Sequence, residues 1–264
     1  MAFPDEYYME KLTLTTDYVA LKCCEVVIEC VMEDIAIKAQ VYQKIVQVVS
    51  DKSILATNTS AIPINKLQML VANPERFLGI HWAEPATMTR FLEVICGDLT
   101  AQHCAAFILK LATCWDKEPT LLKKDIRGFI ANRLMYAVYR EIFHLIETGK
   151  ATKEDADKVF RYDMGSWMTL MGIFRRIDYM GIKDFAVAMS NTFPQLSNSR
   201  EVPQMMEDMV EKSARGIYNG VGLYAYTMDE CKDWETAYTA FSKEIYMLAK
   251  EYSSAQINQM LKIE

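Results

Sequence analysis

The sequence predicts an α/β fold followed by an all-α part, and three observations carry that prediction. Short runs rich in β-branched residues recur up to about residue 123. Segments with helical spacing separate them, which is the alternation of a mostly parallel sheet. Beyond about residue 124 the strand signals stop and long amphipathic patterns take over.

The first strand is Glu25-Val-Val-Ile-Glu-Cys-Val31, continuous and apolar enough to be buried. Glu33 to Val49 follows, with Ile35, Ala39, Tyr42, Ile45, Val46 and Val49 on one helical stripe. Ser53-Ile-Leu-Ala-Thr-Asn58 is the second strand. A short helix over Pro63 to Val71 has proline near its first turn. Phe77-Leu-Gly-Ile-His81 is the third strand and Arg90 to Ile95 the fourth. A helix over 100–115 leads to a fifth at Thr120 to Lys123. The long helix Phe129 to Glu147 is ended by Gly149. Thr152 opens another, with Glu154 and Asp155 in its first turn. Residues 166–193, 202–215 and 234–252 are also helical in pattern.

Composition narrows the function. The chain has 264 residues and a net charge of -6, which speaks against a nucleic-acid binder with its basic face. A few local cations could still hold an anionic substrate. No apolar stretch approaches the length of a membrane span. The start, Met1-Ala-Phe-Pro-Asp-Glu-Tyr-Tyr8, has neither a basic region nor an apolar core of a secretory leader, so a cytoplasmic protein is expected. Seven cysteines without C-x-x-C spacing read as reduced, buried thiols in a reducing compartment, with Cys30, Cys96, Cys104 and Cys114 in apolar company. No metal-ligand spacing is present.

Only three histidines occur. His81 ends an apolar strand, at the place where open α/β sheets bind ligands. Glu93 lies amid Leu, Val and Ile in the next strand, where a carboxylate needs a partner. Pairing the two would fix the imidazole tautomer and stabilise the imidazolium. A strand histidine serving structure alone is the simpler alternative. Thr57-Asn-Thr-Ser60 is either an N-cap turn or a polar cluster at the carboxyl end of the sheet. Asn132 and Arg133, after Gly128, are either helix-surface residues or groups facing a domain junction. His103 and His144 read as ordinary helix residues, and Met164, Met168 and Met171 as packing.

Together these segments resemble the 3-hydroxyacyl-CoA dehydrogenase family. The matching motifs are Val26-Val-Ile-Glu-Cys-Val-Met-Glu33, Asn58-Thr-Ser60, Pro74 to His81 through Phe91-Leu-Glu93-Val-Ile, and Asp125 to Arg133. Gly216 to Tyr224 is a weaker match. The resemblance implies a partial Rossmann-type NAD-binding domain at 1–123 and a helical substrate and dimerisation domain at 124–264. It implies hydride transfer between NAD and a 3-hydroxyacyl-CoA, a place in fatty-acid metabolism and a homodimer. His81 would be the general base, Glu93 its support, and Ser60 and Asn132 partners of the substrate oxygen. Glu33, Lys38, Asn58, Ser60 and Glu84 fall at positions near the nicotinamide.

Three departures stand out. The first glycine is Gly79, so no G-x-G-x-x-G precedes the first strand; the family's N-terminal βαβ unit is expected to have no counterpart here. The family's H-F-F-N-P is His81-Trp-Ala-Glu84-Pro, which places a carboxylate near the nicotinamide. Its G-P-F-E is Gly172-Ile-Phe-Arg175. Two alternatives follow: a dehydrogenase of a non-CoA hydroxy acid, of the gulonate type, or a non-catalytic binding protein that has lost NAD affinity.

Overall fold

The computed structural model describes residues 11–253, 256 and 259. The segment Met1 to Tyr8 lies outside them. The chain divides into two compact units, the first running to Ala131 and the second beginning at Asn132.

The first unit is a five-stranded sheet in the order β1-β2-β3-β4-β5: β1 (Val26–Glu29), β2 (Ile54–Thr57), β3 (Phe77–Trp82), β4 (Phe91–Cys96) and β5 (Glu118–Leu122). All neighbours are parallel except β3 and β4. Between the strands run α1 (Ile35–Val46), the short α2 (Ile64–Gln68) and α3 (Gln102–Cys114). Alternation along each strand sorts side chains onto two faces. Ile54, Ala56, Leu78, Ile80, Leu92 and Val94 pack with Cys104, Ala105 and Ile108 of α3. Val27, Leu55, Phe77 and Ile95 pack with Tyr42 and Ile45 of α1 and with Ile64 and Leu67 of α2.

Gly79 lets α2 approach. A Cβ there would lie 2.8 Å from Ile64 Cδ1. The same parity puts His81 and Glu93 on the α1/α2 face, because each is an even number of residues from Phe77 or Ile95.

α1 begins at Asp34, whose carboxylate accepts from the Ile37 amide. Its buried face carries Lys38, Tyr42 and Ile45, spaced as one helical stripe. The expected buried thiols need correcting: Cys96 and Cys104 are buried, but Cys30 and Cys114 are exposed. Cys30 lies just past the end of β1, and Cys114 is the last residue of α3.

The second unit is helical: α4 (Ala131–Glu147), α5 (Lys153–Val159), α6 (Gly165–Met180), α7 (Ile182–Thr192), α8 (Gln204–Glu211) and α9 (Met228–Glu251), with a π-helical turn at Phe160–Met164. Thr152 caps α5, accepting from the Asp155 amide. The expected single helix over 166–193 is broken twice. Gly172 sits at φ 67° and ψ -171°, a conformation open essentially to glycine alone. Gly181, at φ 111°, separates α6 from α7. α9 starts six residues earlier than residue 234, at Met228, because Thr227 and Glu230 form a reciprocal capping box. Among the described residues no helix is long and apolar enough to cross a membrane, and no cluster of three His, Cys, Asp or Glu is placed to hold a metal.

Candidate active site

Parallel strands bring the carboxyl ends of β1, β2 and β3 to one edge of the sheet, where open α/β sheets place ligands. His81 sits in β3 near that end. The β3–β4 pair is antiparallel, and its register sets His81 directly opposite Glu93. Cross-strand partners project to the same face, and here they bond: His81 Nδ1 lies 2.8 Å from Glu93 Oε2.

Glu93 has no exposed surface. Its other oxygen accepts from the backbone amides of Ile130 at 2.8 Å and Ala131 at 3.1 Å. Burial alone would push this carboxyl up; the bonds from His81 and the two amides outweigh that and hold it below its ordinary range. A carboxylate only accepts, so Nδ1 carries the imidazole proton and Nε2 presents a lone pair. Nε2 lies 3.1 Å from Ser60 Oγ. Phe129 packs edge-on against the imidazole, with ring centroids 5.3 Å apart.

Ser60 stands on the turn after β2. That turn wraps around the Glu33 carboxylate, whose Oε1 accepts from the amides of Ser60, Ala61 and Ile62 at 3.2, 3.0 and 3.2 Å. The Thr59 hydroxyl donates to the same oxygen. Partial burial raises the Glu33 carboxyl, but these donors and Lys38 bring it below its ordinary value. Lys38 is 1% exposed, with Nζ 2.8 Å from Glu29 Oε1 and 3.4 Å from Glu33 Oε2. Glu29 also accepts from Tyr42 Oη and Thr57 Oγ1, each at 2.8 Å. Burial drives the Tyr42 phenol far above its ordinary value.

Asn58 Oδ1 accepts from the Trp82 amide at 3.1 Å and ties the β2 turn to β3. Glu84 is exposed in the loop after β3 and precedes a cis bond to Pro85. Buried Lys117 holds that loop, donating to the carbonyls of Ala86 and Thr89.

Of the residues predicted from sequence, Glu33, Lys38, Ser60, His81 and Glu93 fall into one connected network, and Asn58 ties the same β2 turn to β3. Asn132 lies in the first turn of α4, in the second unit. The sequence marked Thr57 as part of a polar cluster and Tyr42 as part of a helical stripe, but not as partners of Glu29, which it did not single out. The signal was available: Glu29 is a carboxylate inside Val26-Val-Ile-Glu29, the same anomaly that marked Glu93.

A dinucleotide can be tested against this edge. Pyrophosphate needs free amides at a strand–helix turn. Among the described residues, the turn before α1 spends its amides on Asp34 and that before α2 on Glu33. Neither suits phosphate. Exposed Val31 and Met32, which follow β1 at the same carboxyl edge of the sheet, instead suit a flat apolar ring with a polar amide. The residues present therefore fit the nicotinamide end.

Comparison with known proteins gives the family and its cofactor. Residues 4–126 match the 3-hydroxyacyl-CoA dehydrogenase NAD binding domain, and residues 128–226 match the C-terminal domain of that enzyme. The 5-formyl-3-hydroxy-2-methylpyridine 4-carboxylate 5-dehydrogenase of Mesorhizobium japonicum is 35% identical over 81% of this chain and 69% of its own. A crystal structure of a dehydrogenase of that name, described as an NAD+ dependent dismutase, superposes with TM-score 0.85 at 32% identity, covering 91% of this chain and 77% of the other. The (S)-3-hydroxybutyryl-CoA dehydrogenase of Ralstonia eutropha gives 0.63 at 26% identity, covering 81% and 74%. This chain belongs to the 3-hydroxyacyl-CoA dehydrogenase family of oxidoreductases, whose cofactor is NAD.

Proposed function

We propose that the chain interconverts a hydroxyl and a carbonyl group on a small carboxylate-bearing substrate, with His81 as general base and acid. The observation that carries this reading is a histidine with one nitrogen locked 2.8 Å from a buried carboxylate and the other turned toward Ser60. When bound, NAD would supply the acceptor for the hydride that leaves the hydroxyl-bearing carbon. His81 Nε2 takes the hydroxyl proton, and Glu93 stabilises the imidazolium that results. In the reverse direction the same nitrogen returns the proton. Ser60 and Asn132 hydrogen-bond the substrate oxygen. Asn58, Ser60 and Glu84 would line the nicotinamide end of the cofactor, and the helical unit would pair with a second copy.

A free carboxylate is preferred over a thioester because the overlap with the pyridine-carboxylate enzyme is much closer (TM-score 0.85 against 0.63). A 3-hydroxyacyl-CoA is the second reading, favoured by the family itself. NADH oxidation with a formyl-pyridine carboxylate and with acetoacetyl-CoA, in parallel, separates them. Turnover on the free carboxylate with at least about tenfold weaker kcat/KM on the thioester is expected, a difference of about 1.4 kcal/mol in transition-state binding. The reverse preference would transfer the assignment to the thioester.

A further inference from the structure

Resting on the reading of His81 and Ser60 as the reacting centre, we infer that Glu33 is a positioning residue: it sets the Ser60 hydroxyl against His81 and is itself held by the buried Glu29–Lys38 pair. The resemblance puts Glu33 and Lys38 beside the cofactor. Their hydrogen bonds and ion pairs are made within the chain, with Lys38 buried and the Glu33 side chain 38% exposed. One oxygen of Glu33 gathers three consecutive amides, Ser60, Ala61 and Ile62, and the Thr59 hydroxyl. A carboxylate oxygen with four donors has no lone pair left for a ligand. The other oxygen faces Lys38 Nζ.

Lys38 is equally committed. Its ammonium is buried among Glu29 Oε1, Glu33 Oε2 and the carbonyl of Val31. Glu29 in turn anchors β2 through Thr57, whose hydroxyl accepts from the Thr59 amide at 3.3 Å. Both ends of the Thr57–Ile62 segment thus hang from carboxylates joined through one lysine. Ser60 is carried between them, exposed, with Oγ 3.1 Å from His81 Nε2. Removing Glu33 frees the Ser60 and Ala61 amides and the Thr59 hydroxyl proton at once, while the Ile62 amide keeps only its 3.0 Å bond to Thr59 Oγ1, so the part of the turn that carries Ser60 loses its anchor.

The presence of only three histidines makes this measurable by ring-nitrogen NMR on the full chain. The His81 signal is identified by its loss in His81→Gln. Ser60→Ala should move that signal. Glu33→Ala should move it the same way, and Glu33→Gln, which keeps an acceptor oxygen, should restore part of the difference. In turnover, Glu33→Ala should lower kcat by about 10- to 100-fold while the NADH Kd from fluorescence titration stays within about threefold. An unmoved His81 signal in both Glu33 variants would overturn the inference, as would weaker NADH binding at wild-type kcat. Should Glu33→Ala fail to fold by circular dichroism, Glu33→Gln alone decides by the same signal. Full turnover in His81→Gln would instead remove the underlying reading, and the NMR result would stand apart from it.

Discussion

Glu93 is a charge in a place that offers no water. It persists there because three donors meet it: the His81 ring and the amides of Ile130 and Ala131. Those bonds hold its carboxyl below the ordinary carboxylate range against the opposing effect of burial. The linkage has a definite sign. In the unfolded chain Glu93 titrates near its reference value, about 4.3, and takes up its proton first as pH falls. Its contribution to stability is therefore complete above that value and lost as pH drops through the folded one. Denaturant midpoints measured from about pH 6 down to pH 3 should fall steeply for the wild type. Glu93→Gln should start lower and fall less. Parallel curves for the two proteins would show that Glu93 carries no such linkage. Much of this was legible in the sequence, because a carboxylate within Phe91-Leu-Glu-Val-Ile and a histidine ending an apolar strand each demand a partner. Glu29 makes the same demand, but Lys38, its partner nine residues on, looked like an ordinary helix lysine until α1 turned its buried stripe toward β1.

At the scale of elements, the antiparallel turn-back of β4 on β3 is what makes the pair. In an all-parallel sheet residues 81 and 93 would not meet in register; here they are direct partners. The helices of the second unit pose a different problem. Among its described residues only Cys231 is buried, while Leu134, Tyr136, Phe174, Tyr179, Trp234 and Phe241 are exposed, Phe174 at 83%. The pairing with a second copy proposed above would cover part of this apolar surface. Light scattering should give a mass about twice 30.3 kDa. Phe174→Asp or Phe241→Asp should shift it toward the monomer. A wild-type chain that stays at 30.3 kDa at micromolar concentration would contradict pairing through the helical unit. The helices were legible from their periodicity, but the breaks at Gly172 and Gly181 were not, since helices tolerate isolated glycines and only the backbone angles reveal which ones bend the chain.

For the molecule as a whole, composition and patterning were enough to read an α/β part followed by a helical part. The chemistry needed the fold, because Glu33, Ser60, His81 and Glu93 span 61 positions of sequence and converge only at the sheet's carboxyl edge. What the sequence could not supply was the use each polar group is put to: Glu33 takes the amides of the turn after β2 and Asp34 takes the Ile37 amide at the start of α1. On the proposed function His81 moves the proton while other groups hold the cofactor. Turnover and NADH affinity measured together on His81→Gln test it most directly. A kcat lower by about 10²- to 10⁴-fold with the NADH Kd within about twofold of wild type is expected; turnover near the wild-type rate would take the proton-transfer role from His81.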